Sequence, residues 1–439
     1  MGVTRRDFLR ASTVSVLTAG AASKSPVWGA NDRISACVIG FNGQGGSHIR
    51  EILQMADVDI VALCDVDSRV LERGVQTVTT AKGKAPKAYR DVREVMADKA
   101  IDVITTATPN HWHALITVWG CQAGKDVYVE KPMAHSGFES RQCVNAARKY
   151  NRVVQHGTQA RCSARMIRDM ALIHEGFIGK IVHSRGVVYK NGNRNAIGHG
   201  APGPVPENLD WTLWQGPAKD KPFLINKDRQ KPGLYVHYDW HWFWEYGNGE
   251  IGNQGVHEMD VACWAHNRGT PVKVSSTGGR YGWNDDAETP NTQATQFTYA
   301  DGSMMTFEVR NLGSFYEGGE DAGASTNSAF GETGYWVRNR GFFDYKNKPM
   351  VVERQPAPGM SKFDYFFRAV RSRKPEDQVI PVEAAHIACL HCQIGNVAYR
   401  VGHTLVFDPA TERFVNSDEA NALVKRDYRQ GFEVPDLTS

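Results

Sequence analysis

Two features in the first third of the chain could bind a dinucleotide. The run Gly40-Phe41-Asn42-Gly43-Gln44-Gly45-Gly46 is rich in residues without a Cβ atom, and Asp65 stands farther along the chain. Such a run lets a pyrophosphate approach backbone N–H groups at a helix N-terminus. A carboxylate after the next strand can accept both ribose hydroxyls and would repel a 2′-phosphate. The pattern therefore favours NAD over NADP.

A second set of residues could act on an alcohol. Lys131 lies between Glu130 and Pro132, and His257 follows Asn253 by four positions. A cation and an imidazole at one carbinol carbon supply charge stabilisation and proton transfer at neutral pH. We therefore take Lys131, His257 and Asn253 as the catalytic candidates. The alternative for Lys131 is a surface lysine before a turn proline.

The elements that must position these residues alternate between strand and helix. Apolar runs predict strands at 34–39, 58–64, 101–107 and 127–129, and helical spacing lies between them at 47–56, 92–97 and 113–123. Ligands gather at the carboxyl ends of parallel strands. The candidate cofactor-binding residues at or beside such ends are Gly40, Phe41, Asn42, Gly43, Gln44, Gly45, Asp65, Thr108, Pro109, Asn110, His113, Glu130 and Lys131. An α/β Rossmann domain with a doubly wound parallel sheet is predicted over residues 31–155.

The pattern changes over residues 156–439. Alternating strands are predicted at 180–189, 272–278, 292–299 and 304–309, with helices at 363–371 and 384–400. This predicts a C-terminal α+β domain with a large, mainly antiparallel open sheet.

The stretch from Tyr235 to Tyr246 is unusually aromatic. Aromatic faces stack on the C–H faces of sugars, so the stretch fits a carbohydrate cleft; an aromatic core layer or an oligomer interface explains it equally well. Tyr238 and His241 are the candidates for substrate contact. Arg161 is a third candidate, with a structural ion pair as its alternative.

The first 30 residues are expected to be a targeting signal. Arg5-Arg6 precedes Phe8-Leu9 and a mildly apolar stretch over 11–22, an order typical of a twin-arginine signal that exports folded proteins. The alternative is a basic N-terminus that happens to contain Arg-Arg. The stretch is short and rich in Ser, Thr and Gly, so no membrane anchor is predicted. A periplasmic or exported protein would have to load its cofactor before crossing the membrane.

The composition and the spacing of possible metal ligands indicate whether the chain binds nucleic acid or a metal. The 51 Lys and Arg residues nearly balance 48 Asp and Glu, which does not indicate a nucleic-acid partner. Cys389-Leu390-His391-Cys392 has metal-like spacing but no second pair, and His111 and His113 have no third ligand cluster. No metal is predicted.

At the level of motifs, the chain resembles the glucose–fructose oxidoreductase / inositol dehydrogenase / MocA (Gfo/Idh/MocA) family. The matching segments are 108–113 (TPNHWH), 123–125 (AGK), 130–132 (EKP) and 252–260 (GNQGVHEMD). The resemblance implies that Lys131 lies beside the nicotinamide and hydrogen-bonds the reacting hydroxyl, and that His257 moves the hydroxyl proton. It also implies that Glu130 lies near the nicotinamide ribose or carboxamide, and that the Lys131–Pro132 bond is often cis.

Position 253 departs from the resemblance. Many members have aspartate where this chain has Asn253. An amide can orient the imidazole or bind a substrate hydroxyl, but it carries no charge to stabilise an imidazolium. We therefore expect His257 to be less basic here than in relatives with the aspartate.

Three functions are considered. The leading one is an NAD-dependent oxidoreductase that transfers a hydride to or from a secondary hydroxyl of a sugar, glycoside or cyclitol, with a tightly bound cofactor and as a homo-oligomer (dimer or tetramer). The first alternative is an NAD-dependent enzyme that cleaves glycosides by transient oxidation and elimination. The second is a non-catalytic sugar-binding relative, against which the presence of both Lys131 and His257 argues.

Overall fold

The computed structural model describes residues 33–190, 196–228, 233–313, 325–415 and 417–438. The predicted export signal lies outside the described residues. Within the described ranges, no helix combines the length and the apolar character needed to cross a membrane.

The first sheet has six parallel strands in the order β3-β2-β1-β4-β5-β6. Its strands are β1 (Ile34–Ile39), β2 (Val58–Cys64), β3 (Lys87–Tyr89), β4 (Val103–Thr106), β5 (Asp126–Val129) and β6 (Val154–His156). The strand order reverses between β1 and β4, which places a ligand crevice at the carboxyl ends of these two strands. The predicted doubly wound parallel sheet is confirmed.

Helices cover both faces of this sheet. They are α1 (Gln44–Leu53), α2 (Ser68–Lys82), α3 (Val92–Ala97), α4 (Asn110–Gln122) and α5 (Gly137–Lys149). Asp67 caps α2 by accepting hydrogen bonds from the backbone N–H groups of Arg69 and Val70. Such caps satisfy N–H groups that have no partner inside the helix and so fix where it begins.

Helix α1 begins three residues earlier than its apolar spacing predicts. The spacing indicated a start at Ser47, whereas the helix starts at Gln44, inside the glycine-rich run. Glycines contribute no apolar side chain to a periodic pattern, so the pattern could not register the first turn. The consequence is that the run itself forms the N-terminus of the helix.

The second sheet has nine strands in the order β15-β14-β13-β7-β12-β11-β10-β16-β17. All neighbours are antiparallel except β7 and β12, which are parallel, so the predicted mainly antiparallel sheet is confirmed. Its strands are β7 (His183–Tyr189), β10 (Lys273–Gly279), β11 (Thr292–Thr298), β12 (Met304–Arg310), β13 (Ser325–Phe330), β14 (Gly334–Val337), β15 (Gly341–Asp344), β16 (Leu405–Asp408) and β17 (Arg413–Phe414). A separate small pair is formed by β8 (Gly200–Pro202) and β9 (Leu224–Asn226).

The remaining helices complete the second domain and link it to the first. They are α6 (Ala164–His174), α7 (Trp211–Gln215), α8 (Gly249–Asn253), α9 (Gly255–His266), α10 (Lys362–Ser372), α11 (Val382–Val401) and α12 (Asp418–Ala422). One continuous apolar core runs from α4 and α5 through α9 and α11 to the nine-stranded sheet. Burial of this shared core fixes the two domains against each other.

Candidate active site

A cavity of about 390 Å³ opens at the carboxyl ends of the first sheet, where the second domain faces it. This volume is typical of small-molecule sites. Most of the predicted site residues meet here, from segments far apart in sequence. Those that line the cavity are Gly40, Phe41, Asn42, Gly43, Gln44, Asp65, Thr108, Pro109, Asn110, His113, Glu130, Lys131, Tyr238, His241 and Asn253.

The glycine run forms the floor of the cavity. Gly40 has φ +71°, and a Cβ atom there would lie 2.7 Å from Thr108 Cγ2. A Cβ atom on Gly45 would lie 2.1 Å from the carbonyl oxygen of Gly40, so this residue serves close packing of α1 and does not line the cavity. Around Gly43 the space is open, and a side chain would fill it. The first turn of α1 thus has the bare N-terminal backbone that a pyrophosphate requires.

Asp65 directly follows β2, and its side chain is hydrogen-bonded to the backbone of the glycine run that forms the floor. Its two carboxylate oxygens accept hydrogen bonds from the backbone N–H groups of Phe41 (3.0 Å) and Asp67 (3.0 Å). Burial raises the pKa of Asp65 to about 6, although both hydrogen bonds favour the ionised form. Each oxygen retains acceptor capacity, so the carboxylate can still receive ribose hydroxyls.

His113 connects two loops that line the cavity. Its Nδ1 lies 2.6 Å from the carbonyl oxygen of Pro132, and its Nε2 lies 2.7 Å from that of Thr108. Burial lowers the pKa of His113. The predicted cofactor contact is therefore also a link between the loop after β4 and the loop after β5.

Glu130 is held by a histidine that the sequence did not single out. Its Oε1 lies 3.0 Å from Nε2 of His48, whose Nδ1 contacts Thr105 Oγ1 (3.2 Å). Burial alone would raise the pKa of Glu130, but the hydrogen bond with His48 and the charge of Lys131 outweigh it and lower the pKa to about 2. A permanently ionised carboxylate thus stands directly beside the candidate catalytic lysine.

Lys131 reaches across to the second domain. Its Nζ donates to the backbone carbonyl oxygen of Asn253 (3.0 Å) and lies 3.4 Å from Asn253 Oδ1. Burial lowers the pKa of Lys131, which brings its ammonium group closer to proton exchange at neutral pH. The Lys131–Pro132 peptide bond is cis.

Two roles are considered for the Asn253 amide, orienting the His257 imidazole or binding a substrate hydroxyl, and the first has no hydrogen bond to support it in the part of the chain that the structure describes. Among the described residues, the Asn253 side chain contacts Lys131 and not the imidazole. His257 is partly buried near the lysine but is not part of the cavity lining. Burial and the charge of Lys131 lower the pKa of His257 to about 3. The imidazole is therefore neutral at physiological pH, the form that can accept a proton.

The aromatic stretch divides between core and cavity. Tyr235, Trp242 and Tyr246 are buried in an aromatic core. Tyr238 is 41% exposed at the cavity, and its ring contacts His241 at 4.7 Å between centroids. The explanation as an aromatic core layer thus describes Tyr235, Trp242 and Tyr246. Tyr238 and His241, in contrast, line the cavity and stay candidates for substrate contact.

Arg161 does not line the cavity, which corrects its place among the substrate candidates. Its Nε donates to both carboxylate oxygens of Asp260 (2.9 and 2.8 Å), and the guanidinium lies over the Trp264 ring at 4.6 Å. Both charged side chains are buried. The alternative of a structural ion pair describes Arg161.

Sequence reasoning missed three charged residues among the described residues that line the cavity, Arg90 and Asp91 on the first domain and Lys190 on the second. Lys190 is the one that faces the candidate substrate residues from the second domain. It follows β7 directly and pairs with the buried Glu250, with 2.6 Å between Nζ and Oε1. Its position just after a predicted strand was a usable signal, since the same rule located Asp65. Glu250 could not have been found in this way, because the contact joins residues that are distant in sequence.

The metal-like motifs have other contacts. Among the described residues, no three His, Cys, Asp or Glu side chains gather as a metal site would require. His111 lies between the carbonyl oxygens of Trp214 (2.9 Å) and Tyr246 (3.4 Å). Cys389 and Cys392 are buried in α11, and burial raises the pKa of both thiols.

Two curated relatives align with part of this chain. A glycosyl hydrolase family 109 protein of Shewanella pealeana is 26% identical over 206 residues, which cover 42% of this chain and 45% of that protein. An α-N-acetylgalactosaminidase of Shewanella oneidensis is 24% identical over 188 residues, or 41% of each chain. The chain thus aligns with less than half the length of these curated relatives.

Solved structures share the fold over a longer range. The WlbA dehydrogenase of Bordetella pertussis, in complex with NADH and UDP-GlcNAcA, superposes with a TM-score of 0.63 at 18% identity, covering 86% of this chain and 99% of that one. The scyllo-inositol dehydrogenase of Lactobacillus casei, with NAD(H) and scyllo-inositol, gives a TM-score of 0.59 at 16% identity, covering 85% of this chain and 99% of that one.

Family models account for most of the chain. Residues 34–158 match the NAD-binding Rossmann fold of the oxidoreductase family, which confirms the cofactor predicted from the glycine run and Asp65. Residues 180–434 match the C-terminal alpha/beta domain of the same family. With both parts of the molecule matched in order, the chain belongs to the Gfo/Idh/MocA oxidoreductase family.

Proposed function

We propose that this protein transfers a hydride between NAD and a secondary hydroxyl of a sugar, glycoside or cyclitol. The observation that carries the proposal is the hydrogen bond from Lys131 to Asn253 of the second domain, in the same cavity as the glycine run. When bound, NAD supplies the hydride acceptor or donor. The protein has to place one carbinol carbon beside it and manage one proton.

The residues divide this work. The ammonium group of Lys131, fixed by the Asn253 carbonyl, donates a hydrogen bond to the reacting hydroxyl oxygen and stabilises its negative charge as the proton leaves. His257, which lies near Lys131 but outside the cavity lining, is the proposed acceptor of that proton during oxidation. It is neutral because burial and the charge of Lys131 lower its pKa to about 3. In reduction the same two groups return the proton. Glu130 keeps the lysine protonated.

The first experiment is to denature the purified protein and identify any released nucleotide by mass spectrometry. Released NAD supports a carried cofactor. A panel of sugars, glycosides and cyclitols is then screened for absorbance changes of NADH. A protein that neither carries nor binds NAD contradicts the proposal.

A second function is favoured by the printed names of the curated relatives, a glycosyl hydrolase family 109 protein and an α-N-acetylgalactosaminidase. In this alternative the enzyme oxidises a ring hydroxyl transiently, eliminates the aglycone, adds water and reduces the sugar again. Aryl glycosides distinguish the two functions. Release of the chromophore without net NADH supports glycoside cleavage, and net NADH without chromophore supports the dehydrogenase.

We also propose export by the twin-arginine route, from the order Arg5-Arg6, Phe8-Leu9 and the apolar stretch that follows. Because this route carries folded proteins, the cofactor would cross inside its site. Replacing Arg5-Arg6 by Lys-Lys should keep the protein in the cytoplasm. An unchanged distribution between cytoplasm and periplasm contradicts export by this route.

A further inference from the structure

The wall that the second domain contributes to the cavity holds one cation among the described residues, the ammonium group of Lys190. The backbone N–H of Lys190 donates to the carbonyl oxygen of Arg310 at the end of β12 (2.9 Å). This bond extends the pairing of β7 with β12 and fixes the start of the side chain. The other described residues of this wall are neutral or aromatic: Leu213, Trp214, His237, Tyr238, Trp240, His241, Asn253 and Gln254.

A buried carboxylate sets the direction of this ammonium group. Nζ of Lys190 lies 2.6 Å from Oε1 of Glu250, whose other oxygen accepts from Asn311 Nδ2 (3.2 Å). The Glu250 side chain is 1% exposed, whereas that of Lys190 is 26% exposed. An ammonium group has three N–H donors, and Glu250 occupies one of them. Lys190 lines the cavity, and Glu250 is the one side-chain partner of its ammonium group within the described ranges, so two donors are left for a ligand.

The pair also decides what kind of group the wall can bind. The ammonium charge is balanced by the buried carboxylate, so the pair offers strong donors without net charge. A ligand carboxylate would have to compete with Glu250 for the same ammonium. A hydroxyl oxygen accepts a hydrogen bond without disturbing the pair.

We propose that Lys190 is a specificity-determining residue that binds a second hydroxyl of the ring on which Lys131 acts, and that Glu250 is the positioning residue that makes this contact select neutral sugars over sugar acids. The inference rests on the proposed function and deepens it. A sole ion-pairing role for Lys190 would stabilise Glu250 without affecting ligand choice.

The test titrates the NADH-loaded protein with two matched pairs of hexoses, D-glucose with D-glucuronate and D-galactose with D-galacturonate, by calorimetry. The members of each pair differ only at C6, which carries a hydroxymethyl group in the neutral sugar and a carboxylate in the acid. The variants are Lys190→Met, Glu250→Gln and the double variant, which removes both charges and leaves no buried carboxylate without a partner. Lys273→Met, at an exposed lysine on β10, is the matched control.

We expect the unmodified protein to bind the neutral member of at least one pair more tightly. Lys190→Met and the double variant should weaken that binding about 10- to 100-fold, the effect of losing a hydrogen bond to a charged group. Glu250→Gln should shift the affinity ratio toward the acid about tenfold or more, because the ammonium charge is then unbalanced. Lys273→Met should match the unmodified protein.

Three results would overturn the inference. The first is unchanged hexose binding in the double variant, and the second is an unchanged acid-to-neutral ratio in Glu250→Gln. The third is a protein that binds NADH but none of the four hexoses. Failure of the unmodified protein to bind NADH is a different result, since it overturns the proposed function itself and this inference with it.

Discussion

The two halves of the cavity are built in different ways. On the cofactor side, the residues come in short consecutive runs directly after parallel strands, as in the glycine run after β1 and Glu130-Lys131 after β5. On the substrate side, the residues come from the end of β7, from the aromatic stretch and from the short helices α7 and α8. Backbone geometry defines the first half, and long-range side-chain contacts define the second. The first half therefore suits one shared ligand, whereas the second can vary with the substrate.

The largest effect is expected where the halves meet, at Lys131. Lys131→Ala should reduce kcat about 10²- to 10⁴-fold, the usual contribution of a positioned proton-transfer or charge-stabilising group. NADH affinity should change by less, because the floor and Asp65 remain. Turnover and nucleotide content are measured on the same preparation. Full turnover in this variant would contradict the catalytic role of the lysine.

The next effect concerns stability in the second half, away from the cavity. Arg161→Met leaves the Asp260 carboxylate buried without its partner, which should lower the free energy of unfolding by about 3–5 kcal/mol. Denaturant unfolding measures the change. KM and NADH affinity of the remaining folded protein should match those of the unmodified protein, and a selective rise in KM would instead return Arg161 to the substrate cleft.

A smaller effect is expected in the cofactor half, where the preference for NADH over NADPH should depend on pH. The pKa of Asp65 is raised to about 6, so its carboxylate is ionised above that pH and gains a proton below it. Repulsion of a 2′-phosphate should therefore fade as pH falls from 8 to 5, and the preference for NADH over NADPH should fall about tenfold. Fluorescence titrations at each pH measure the two affinities. Asp65→Asn should show a low preference that does not change with pH, which serves as the control.

The smallest effect is expected at position 253, where the second half of the cavity contacts Lys131 of the first half. Asn253→Asp adds a carboxylate near Lys131 and His257, which should raise the pKa of both groups. Both limbs of the pH profile of kcat/KM should then move to higher pH, by about one unit. Asn253→Ser, which keeps the backbone carbonyl and adds no charge, is the matched control. An unchanged profile in the aspartate variant would contradict the inference that the amide makes His257 less basic.

More of the cofactor half of the cavity than of the substrate half could be predicted from the sequence. Strand ends, glycines and Asp65 follow local rules, so the first sheet and its floor could be predicted from spacing. His48 could not, because its contact with Glu130 depends on how α1 packs against the sheet. The hydrogen bonds between Asn253 and Lys131 could not be predicted for the same reason. Four residues of separation suggested His257, whereas the fold brings Lys131 from 122 positions away.

The contact between Lys131 and residue 253 also bears on how such a site can evolve. The shorter of its two hydrogen bonds goes to the main-chain oxygen, which every amino acid possesses. Exchange of the side chain at this position therefore leaves the lysine anchored while the local charge changes. Mutation can thus retune the acidity of the reaction centre in a single step, without an intermediate in which the reacting group is misplaced.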